Sequence, residues 1–374
     1  MKIAEVKSFD LEIPYKVPFR PAHEPGRVRH SRAFTLVRIK TEDGLVGYAG
    51  GDGYYSAQID RKVAPYLVGM DVFDTENHAR VYRNGGGLGA WFLDMAVWDI
   101  IGKAANLPVY KLWGSAREKV LAYASAPSFL SHAEVADLCQ RYYDEGFRAA
   151  KIRIHNETIA EDIAFVEAAR KAVPDLIIMV DANQANFSPS PKAHPHWDYA
   201  RGLKTAKELE RLGCYWLEEP FPYGRWDDYK RLTENTEIYI TGGESLSNLY
   251  MFRDVIQQRV YDIVQPDPLY SEGISQMRKI AAMAEMFDIP CMPHMAYSGI
   301  GDSANLHLCC TIPGHLWYEF MYEPPSRTVE DYQQLGGLIQ SKIWIDREGY
   351  VTPSGEPGLG VVIDEDAIKH FVPR

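Results

Sequence analysis

The sequence predicts an α/β fold, a modified (β/α)8 TIM barrel with an N-terminal α+β capping domain. From about residue 118 onward, short apolar runs alternate eight times with amphipathic helical patterns, which is typical of this barrel. Before that point strand patterns come first and helical patterns follow, as in an α+β unit. The eight apolar runs lie at 121–126, 149–154, 177–180, 215–217, 238–241, 263–265, 289–292 and 316–320.

The capping domain is predicted to occupy residues 1–117. Residues 15–32 are rich in Pro, Arg, His and Gly and predict a loop, and a second loop is expected at 50–55. From 56 to about 112 the pattern is helical, with breaks at the three glycines that begin at Gly85 and at Pro108. Strands are predicted at 1–14, 33–39 and 45–48, with a Glu-Asp-Gly turn between the last two.

The catalytic barrel is predicted to span 118–345, and residues 346–374 are expected to pack back on the cap. Ser131, with Glu134 three residues later, predicts a capping box at the start of the first barrel helix. Gly146 stands where that helix should end. The last segment carries turn residues and a short alternating stretch, so we expect one further short strand there.

Three carboxylates stand at the ends of successive barrel strands, namely Asp181, Glu218 and Glu244. A side chain at the C-terminal end of a barrel strand points into the mouth of the barrel, so the three should converge. Like charges that close together repel strongly unless a cation lies between them. Because all the ligands are hard oxygen atoms, the sequence predicts a Mg²⁺ site.

Five further polar residues are expected at the same mouth. Lys151 and Arg153 lie two residues apart on the second barrel strand, so both should face inward. His294 is the natural general base, because its ordinary pKa is near neutral pH. Asp267, one strand-helix unit earlier, is placed to fix the tautomer of that imidazole. Glu319, on the last strand, is expected to be protonated and to donate a hydrogen bond to a substrate carboxylate.

This set of residues suits the removal of a proton α to a carboxylate. Such a proton is weakly acidic, because its loss creates a dianionic enediolate. A bound Mg²⁺ stabilises that charge, and a base beside the α-carbon takes the proton. The sequence therefore predicts an enzyme that acts on a small carboxylate substrate.

These motifs resemble the enolase superfamily, and within it the mandelate racemase-like branch that includes the acid-sugar dehydratases. The resemblance covers the whole chain, with a cap, a modified barrel and a returning tail. It implies three Mg²⁺ ligands, a His–Asp dyad, a strand-eight glutamate and a homo-oligomer. The residues that carry it are Asp181-Ala-Asn, Leu-Glu218-Glu-Pro, Gly-Gly-Glu244, Asp267 with His294, and Glu319.

One position departs from the racemising members of that branch, which have Lys-x-Lys on the second strand. Here the second lysine is replaced by Arg153, which stays protonated at any working pH and is a poor base. Racemisation needs a base on each face of the substrate, whereas β-elimination of water needs one group that serves as base and acid. We therefore favour dehydration of a sugar acid, an aldonate or aldarate, to a 2-keto-3-deoxy acid.

Other functions stay open at this point. A racemase, epimerase or cycloisomerase on the same scaffold would use Lys151 or another group as a second participant. A binding protein on a catalytically inactive barrel is disfavoured by the complete set of site residues. A zinc hydrolase would need histidines at several strand ends, where only His294 is present.

The substrate contacts are expected from the cap and from one residue after the third barrel strand. Arg20, His23, Glu24 and Tyr54 supply polar and charged groups that suit a polyhydroxylated acid. Asn183 follows the first of the three carboxylates and is expected to contact the substrate as well.

The composition limits the partners and the compartment. A net charge of -11 argues against binding to nucleic acid. The five cysteines are scattered and odd in number, which favours buried thiols in a reducing compartment. The first residues lack the apolar core of a signal peptide, and no long apolar run could span a membrane. We therefore expect a cytoplasmic enzyme.

Overall fold

The cap begins with a three-stranded antiparallel sheet. The computed structural model describes residues 1–185, 195–295, 299–314 and 316–373. The strands follow in chain order, β1 (Ile3–Phe19), β2 (Arg29–Thr41) and β3 (Val46–Asp52), and β2 lies in the middle. Residues 15–19 and 29–32 belong to β1 and β2, so the prediction of a loop throughout 15–32 was wrong at both ends. Backbone pairing across the hairpin, for example Ile13 with Arg32, overrides the loop-like composition there.

Five helices complete the cap, and α4 packs most extensively against the sheet. Nine of its residues are buried, and its C-terminal cap is Asn106 in the left-handed conformation. The predicted breaks fall where expected, because α3 ends at Gly85 and Pro108 caps the last helix. The helices are α1 (Ser56–Lys62), α2 (Ala64–Leu67), α3 (Thr75–Gly85), α4 (Leu93–Ala105) and α5 (Val109–Leu112).

The second half of the chain forms the parallel sheet of a modified TIM barrel, which confirms the predicted fold class. Its strands are β4 (Val120–Ser125), β5 (Ala149–Arg153), β6 (Ile177–Asp181), β7 (Trp216–Glu218), β8 (Tyr239–Gly242), β9 (Ile263–Val264) and β10 (Trp317–Met321). They pair in the order β10-β4-β5-β6-β7-β8-β9. Within the described residues, the seventh predicted run forms only a bridge between Val264 and Cys291. The strands are buried on both faces, as a barrel covered by helices requires.

The barrel strands are joined by helices whose ends carry the predicted signals. Ser131 and Glu134 form the reciprocal capping box of α6, and Gly146 ends that helix with φ 113°. The helices are α6 (His132–Glu145), α7 (Ile159–Ala172), α8 (Tyr199–Arg211), α9 (Trp226–Thr233), α10 (Leu249–Gln257), α11 (Ile274–Met286) and α12 (Ile300–Cys309). Two short helices follow in the last part of the chain, α13 (Val329–Tyr332) and α14 (Ile368–Phe371).

The C-terminal segment contacts both the barrel and the cap. The short strand β11 (Tyr350–Val351) pairs with β4, and Gly358 bridges to Pro108. Farther on, Glu365 accepts hydrogen bonds from Arg38 Nη1, at 3.1 Å, and from the hydroxyl of Tyr48. These contacts agree with a tail that returns to the cap, while the boundaries at 117 and 345 stay a prediction.

Two further expectations concern the state of the cysteines and the possibility of a membrane-spanning helix. All five cysteines are free and buried. Among the residues that the structure describes, no helix is both long enough and apolar enough to cross a membrane.

The close approach of α4 to β3 depends on Gly47. A methyl group added there would overlap the carbonyl oxygen of Ala96 and would lie 2.8 Å from Ile100 Cγ1. Because a backbone atom cannot move aside cheaply, we expect Gly47→Ala to lower the free energy of unfolding by about 1–3 kcal/mol. Chemical denaturation measures this change.

The matched control is Gly355→Ala, where an added methyl meets nothing within 4 Å. That change should leave the free energy of unfolding unchanged or raise it slightly, because alanine restricts the unfolded chain. Equal stability of the two variants would contradict the packing described for Gly47.

Candidate active site

Neighbouring strand ends bring the predicted site residues to one edge of the barrel. Arg153 at the end of β5 pairs with Asp181 at the end of β6, and Asp181 pairs with Glu218 at the end of β7. Lys151 lies two residues before Arg153 and faces the same side of the strand, as the alternation predicts. Parallel pairing in register therefore places two cations and two carboxylates side by side.

Lys151 is fully buried and joins two of the carboxylates. Its Nζ lies 2.9 Å from Glu218 Oε1 and 2.8 Å from Glu319 Oε1. A third oxygen, Asp181 Oδ2, is 3.9 Å away. An ammonium group without water needs such partners, because an unpaired buried charge is strongly unfavourable. Lys151 thus balances the charge at the centre of the site.

Arg153 is held by three different groups. Its Nη1 donates to Asp181 Oδ2, its Nε donates to the carbonyl oxygen of Ala126 at 3.2 Å, and its Nη2 donates to Ser125 Oγ at 3.2 Å. Asp181 also accepts from the backbone N–H of Asn183 at 2.7 Å and from its side-chain amide at 3.0 Å. A guanidinium has donors only, so Arg153 serves here as a fixed fork of hydrogen-bond donors.

His294 and Asp267 form a hydrogen-bonded pair. His294 Nδ1 lies 2.8 Å from Asp267 Oδ2, and Asp267 Oδ1 accepts from the N–H of Leu269 at 2.8 Å. The other imidazole nitrogen, Nε2, lies 3.0 Å from Glu244 Oε2. Burial disfavours the charged imidazolium, but the carboxylates of Glu244, Glu319 and Asp267 outweigh it and raise the pKa of His294 well above its ordinary value.

The surroundings of Glu319 favour its ionised form, whereas the sequence led us to expect a protonated donor. Its Oε1 accepts from Ser125 Oγ at 2.8 Å and lies beside Lys151, and its Oε2 accepts from the N–H of Met295 at 3.0 Å. Burial raises the pKa of this carboxyl, but Lys151, His294 and Arg153 outweigh burial and hold the pKa well below its usual range. The sequence could not show that Lys151 reaches across to the last strand.

The carboxylate oxygens at the mouth are the type of donor atom that Mg²⁺ prefers, but in this structure they pair with cationic side chains. Among the described residues no group of three or more His, Cys, Asp or Glu side chains forms a ready metal site. The reason is that each carboxylate pairs with a cationic group instead: Asp181 with Arg153, Glu218 with Lys151, and Glu244 with His294.

Two buried acceptors beside these carboxylates have no partner within the described part of the chain. They are Asn183 Oδ1 and Gln265 Oε1, and the other end of the Gln265 amide donates to Glu218 at 3.2 Å. Glu219 is buried too, and its pKa is raised well above the usual value by burial and by the charges of Glu244 and Glu218. Unsatisfied oxygens and excess negative charge are what a bound Mg²⁺ would relieve.

A cavity of about 240 Å³ opens above these residues. Arg153, Asn183, Glu244 and His294 line its barrel side. Of the four predicted substrate contacts in the cap, only His23 lines the cavity, and burial together with Arg29 lowers the pKa of His23 to about 4.

The other three predicted cap contacts lie elsewhere. Arg20 follows the buried Phe19 and, since side chains alternate along a strand, lies on the opposite, exposed side, where it lines a separate groove. Tyr54 is 52% exposed and does not line the cavity. Glu24 is buried behind the cavity, where it accepts from Arg27 at 2.9 Å and from Arg29 at 2.6 Å. Glu24 therefore positions a guanidinium instead of lining the cavity.

The sequence reasoning missed several lining residues of the cap, above all Arg29, Arg32 and Asp52. The two arginines lie three residues apart, so simple strand alternation would put them on opposite faces. Both nevertheless line the same cavity, and the pairing of β1 with β2 is irregular between the pairs Pro14–Ser31 and Phe19–Arg29. The feature of the sequence that could have indicated these residues is the clustering of arginine between Arg20 and Arg32.

The pairing of Lys151 predicts a large effect on stability. Lys151→Met keeps most of the volume but leaves the carboxylates of Glu218 and Glu319 buried without their shared cation. We expect the free energy of unfolding to fall by about 3–5 kcal/mol, measured by chemical denaturation without added metal.

The control is Lys119→Met, which removes a lysine that pairs at the surface with Glu348. Solvent screens that pair, so the control should be nearly as stable as the parent. A similar small change in both variants would contradict the role given to Lys151.

Comparisons with known proteins agree with this fold and arrangement. The chain is 29% identical to an arabinonate dehydratase of Saccharolobus solfataricus, over 92% of each chain. It is 28% identical to a D-galactarolactone cycloisomerase of Agrobacterium fabrum, over 99% of each. The crystal structure of an L-talarate dehydratase from Polaromonas sp. JS666, complexed with Mg and L-glucarate, superposes with a TM-score of 0.82 at 24% identity, over 100% of this chain and 98% of that one.

Two family models together match most of the chain. Residues 5–114 match the mandelate racemase / muconate lactonizing enzyme N-terminal domain, and residues 134–367 match the enolase C-terminal domain-like family. The chain therefore belongs to the enolase superfamily, in its mandelate racemase-like branch.

Proposed function

We propose that this enzyme is a Mg²⁺-dependent acid-sugar dehydratase. It removes the proton α to the carboxylate of a sugar acid and expels the β-hydroxyl as water, which gives a 2-keto-3-deoxy acid. Relatives named as dehydratases of arabinonate and of other sugar acids support this proposal. A racemase, epimerase or cycloisomerase is the second candidate, and the cycloisomerase relative supports that reading.

The observation that carries the proposal is the asymmetry of proton-transfer groups around the cavity. On one side His294 presents Nε2 while Asp267 holds Nδ1. On the other side Arg153 is a protonated donor with three partners. One face of a bound substrate therefore meets a group that can accept a proton, and the opposite face meets a group that cannot. Elimination of water needs only the group that can accept a proton.

Asp181, Glu218 and Glu244 are the residues that would hold the metal ion. When bound there, Mg²⁺ would stabilise the negative charge that develops on the substrate carboxylate. The L-talarate dehydratase from Polaromonas contains Mg, and the oxygen-only donor set of this chain suits the same ion. With Glu244 serving as a metal ligand, His294 would lose part of the negative charge that favours its protonated form and would be better suited to act as a base.

The residues of the chain then divide the proton transfers between them. His294 Nε2 accepts the α-proton, and the carboxylate of Asp267 stabilises the imidazolium that results. The same imidazolium can return its proton to the departing β-hydroxyl, so a single residue serves as base and acid. Lys151 and Arg153 hold Glu218, Glu319 and Asp181 in place and offset part of their charge.

This assignment predicts the effect of removing the imidazole. His294→Asn should lower formation of keto acid from a sugar acid by at least about 10²-fold, because general acid–base groups contribute about 10²–10⁴. Reactions run in D₂O with a panel of sugar acids measure it, with keto acid detected by carbonyl chemistry and deuterium at C2 by NMR. The parent enzyme should form keto acid and return no inverted substrate.

The matched control is His370→Asn, an exposed histidine in the C-terminal helix. It should keep the parent rate. Activity of His294→Asn within about tenfold of the parent would contradict the role of His294. Recovery of substrate that carries deuterium at C2 and is inverted there, without formation of keto acid, would favour a racemase over a dehydratase.

A further inference from the structure

The cap side of the cavity carries two guanidinium groups for which the proposed chemistry has no use. Arg29 and Arg32, both on β2, line the cavity together with Arg153 and His294. Neither belongs to the proton-transfer groups or to the carboxylates that would hold a metal ion. Since charged groups are costly to place around a small cavity, a ligand that uses them is the natural explanation.

Arg32 is buried but incompletely paired. Its side chain is 7% exposed, and its Nε lies 3.3 Å from Asp52 Oδ2 at the cavity wall. Its guanidinium stacks over the ring of Tyr332, 4.5 Å from the centroid, which fixes its plane. Within the described residues, Nη1 and Nε have no partner in hydrogen-bond geometry. A buried guanidinium that is already held in one orientation can bind an anion with little further loss of conformational entropy.

Arg29 shares the carboxylate of Glu24 with another arginine. Its Nε and Nη2 both donate to Glu24 Oε2, at 3.0 and 2.6 Å, while Arg27 uses Oε1 of the same carboxylate. Glu24 therefore divides its charge between Arg29, which lines the cavity, and Arg27, which is half exposed and does not line it. Arg29 is thus neutralised only in part by its carboxylate partner.

We infer that the substrate is a sugar diacid, whose second carboxylate faces Arg29 and Arg32 while the first lies at the Mg²⁺ site. The inference rests on the proposed function, because that function places the reacting carboxylate on the barrel side. A carboxylate matches a guanidinium with two oxygens, would accept from the unpaired donors of Arg32, and would complete the neutralisation of Arg29. The uncharged hydroxymethyl group that ends a sugar monoacid does not neutralise Arg29.

The test compares pairs of sugar acids that share every stereocentre and differ only at the far carbon, carboxylate against hydroxymethyl. We expect kcat/KM for keto-acid formation to be about 10- to 100-fold higher for the diacid, as one hydrogen-bonded charge pair is expected to give. Arg29→Met should lower this diacid-to-monoacid ratio about tenfold, and Arg32→Met should lower it at least as much. The control Arg38→Met removes an arginine of the same strand that pairs with Glu5 outside the cavity, so the ratio should stay unchanged.

Arg32→Met also deprives Asp52 of its cation, so its folding is checked by circular dichroism, and Arg29→Met carries the test if Arg32→Met does not fold. Keto acid formed from the monoacid as efficiently as from the diacid would overturn this inference and leave the dehydratase proposal standing. Equal losses for both acids in Arg29→Met would overturn the placement of the second carboxylate. Neither keto acid nor exchange at C2 from any acid of the panel would overturn both.

Discussion

The site depends on the compensation of charges that are buried together at the mouth of the barrel. Lys151 and Arg153 lie on the second barrel strand and pair with carboxylates of the third, fourth and last strands, which are Asp181, Glu218 and Glu319. Each of these charges would cost several kcal/mol if it were buried alone. Because the cations and the carboxylates come from different strands, the register of the parallel sheet decides whether compensation is complete. The chemistry we propose uses the same groups.

Most of the barrel side could be predicted from the sequence because two simple periodicities govern it. A strand-helix unit has a nearly constant length, so carboxylates that end apolar runs recur at one edge of the barrel. Alternation along a strand places Lys151 and Arg153 on one face. The structure brings Asp181, Glu218, Glu244, Asp267 and His294 to that edge, as the spacing indicates. The protonation state of Glu319 did not follow, because it depends on a lysine from a strand that is distant in sequence.

The cap side was less predictable because tertiary pairing overrides local composition there. The stretch whose composition predicts a loop holds the end of β1 and the start of β2, and the pairing of the two strands is irregular there. Arg29 and Arg32 line the cavity, while Arg20 and Tyr54 do not. Glu24 was predicted to contact the substrate, but it does not line the cavity and instead pairs with Arg29. The part of the cavity to which we assign substrate specificity is therefore the part that sequence patterns predict least well.

The central claim of the proposal is that Asp181, Glu218 and Glu244, at the ends of three successive strands, together hold one Mg²⁺. Calorimetric titration of metal-free protein with Mg²⁺ tests it most directly. We predict one ion bound per chain, with the affinity weakened at least about tenfold when Asp181 is changed to Asn, because one of three charged ligands is then lost. The same titration of Lys119→Met should match the parent. A titration that shows no binding, or binding that Asp181→Asn leaves unchanged, would contradict the account.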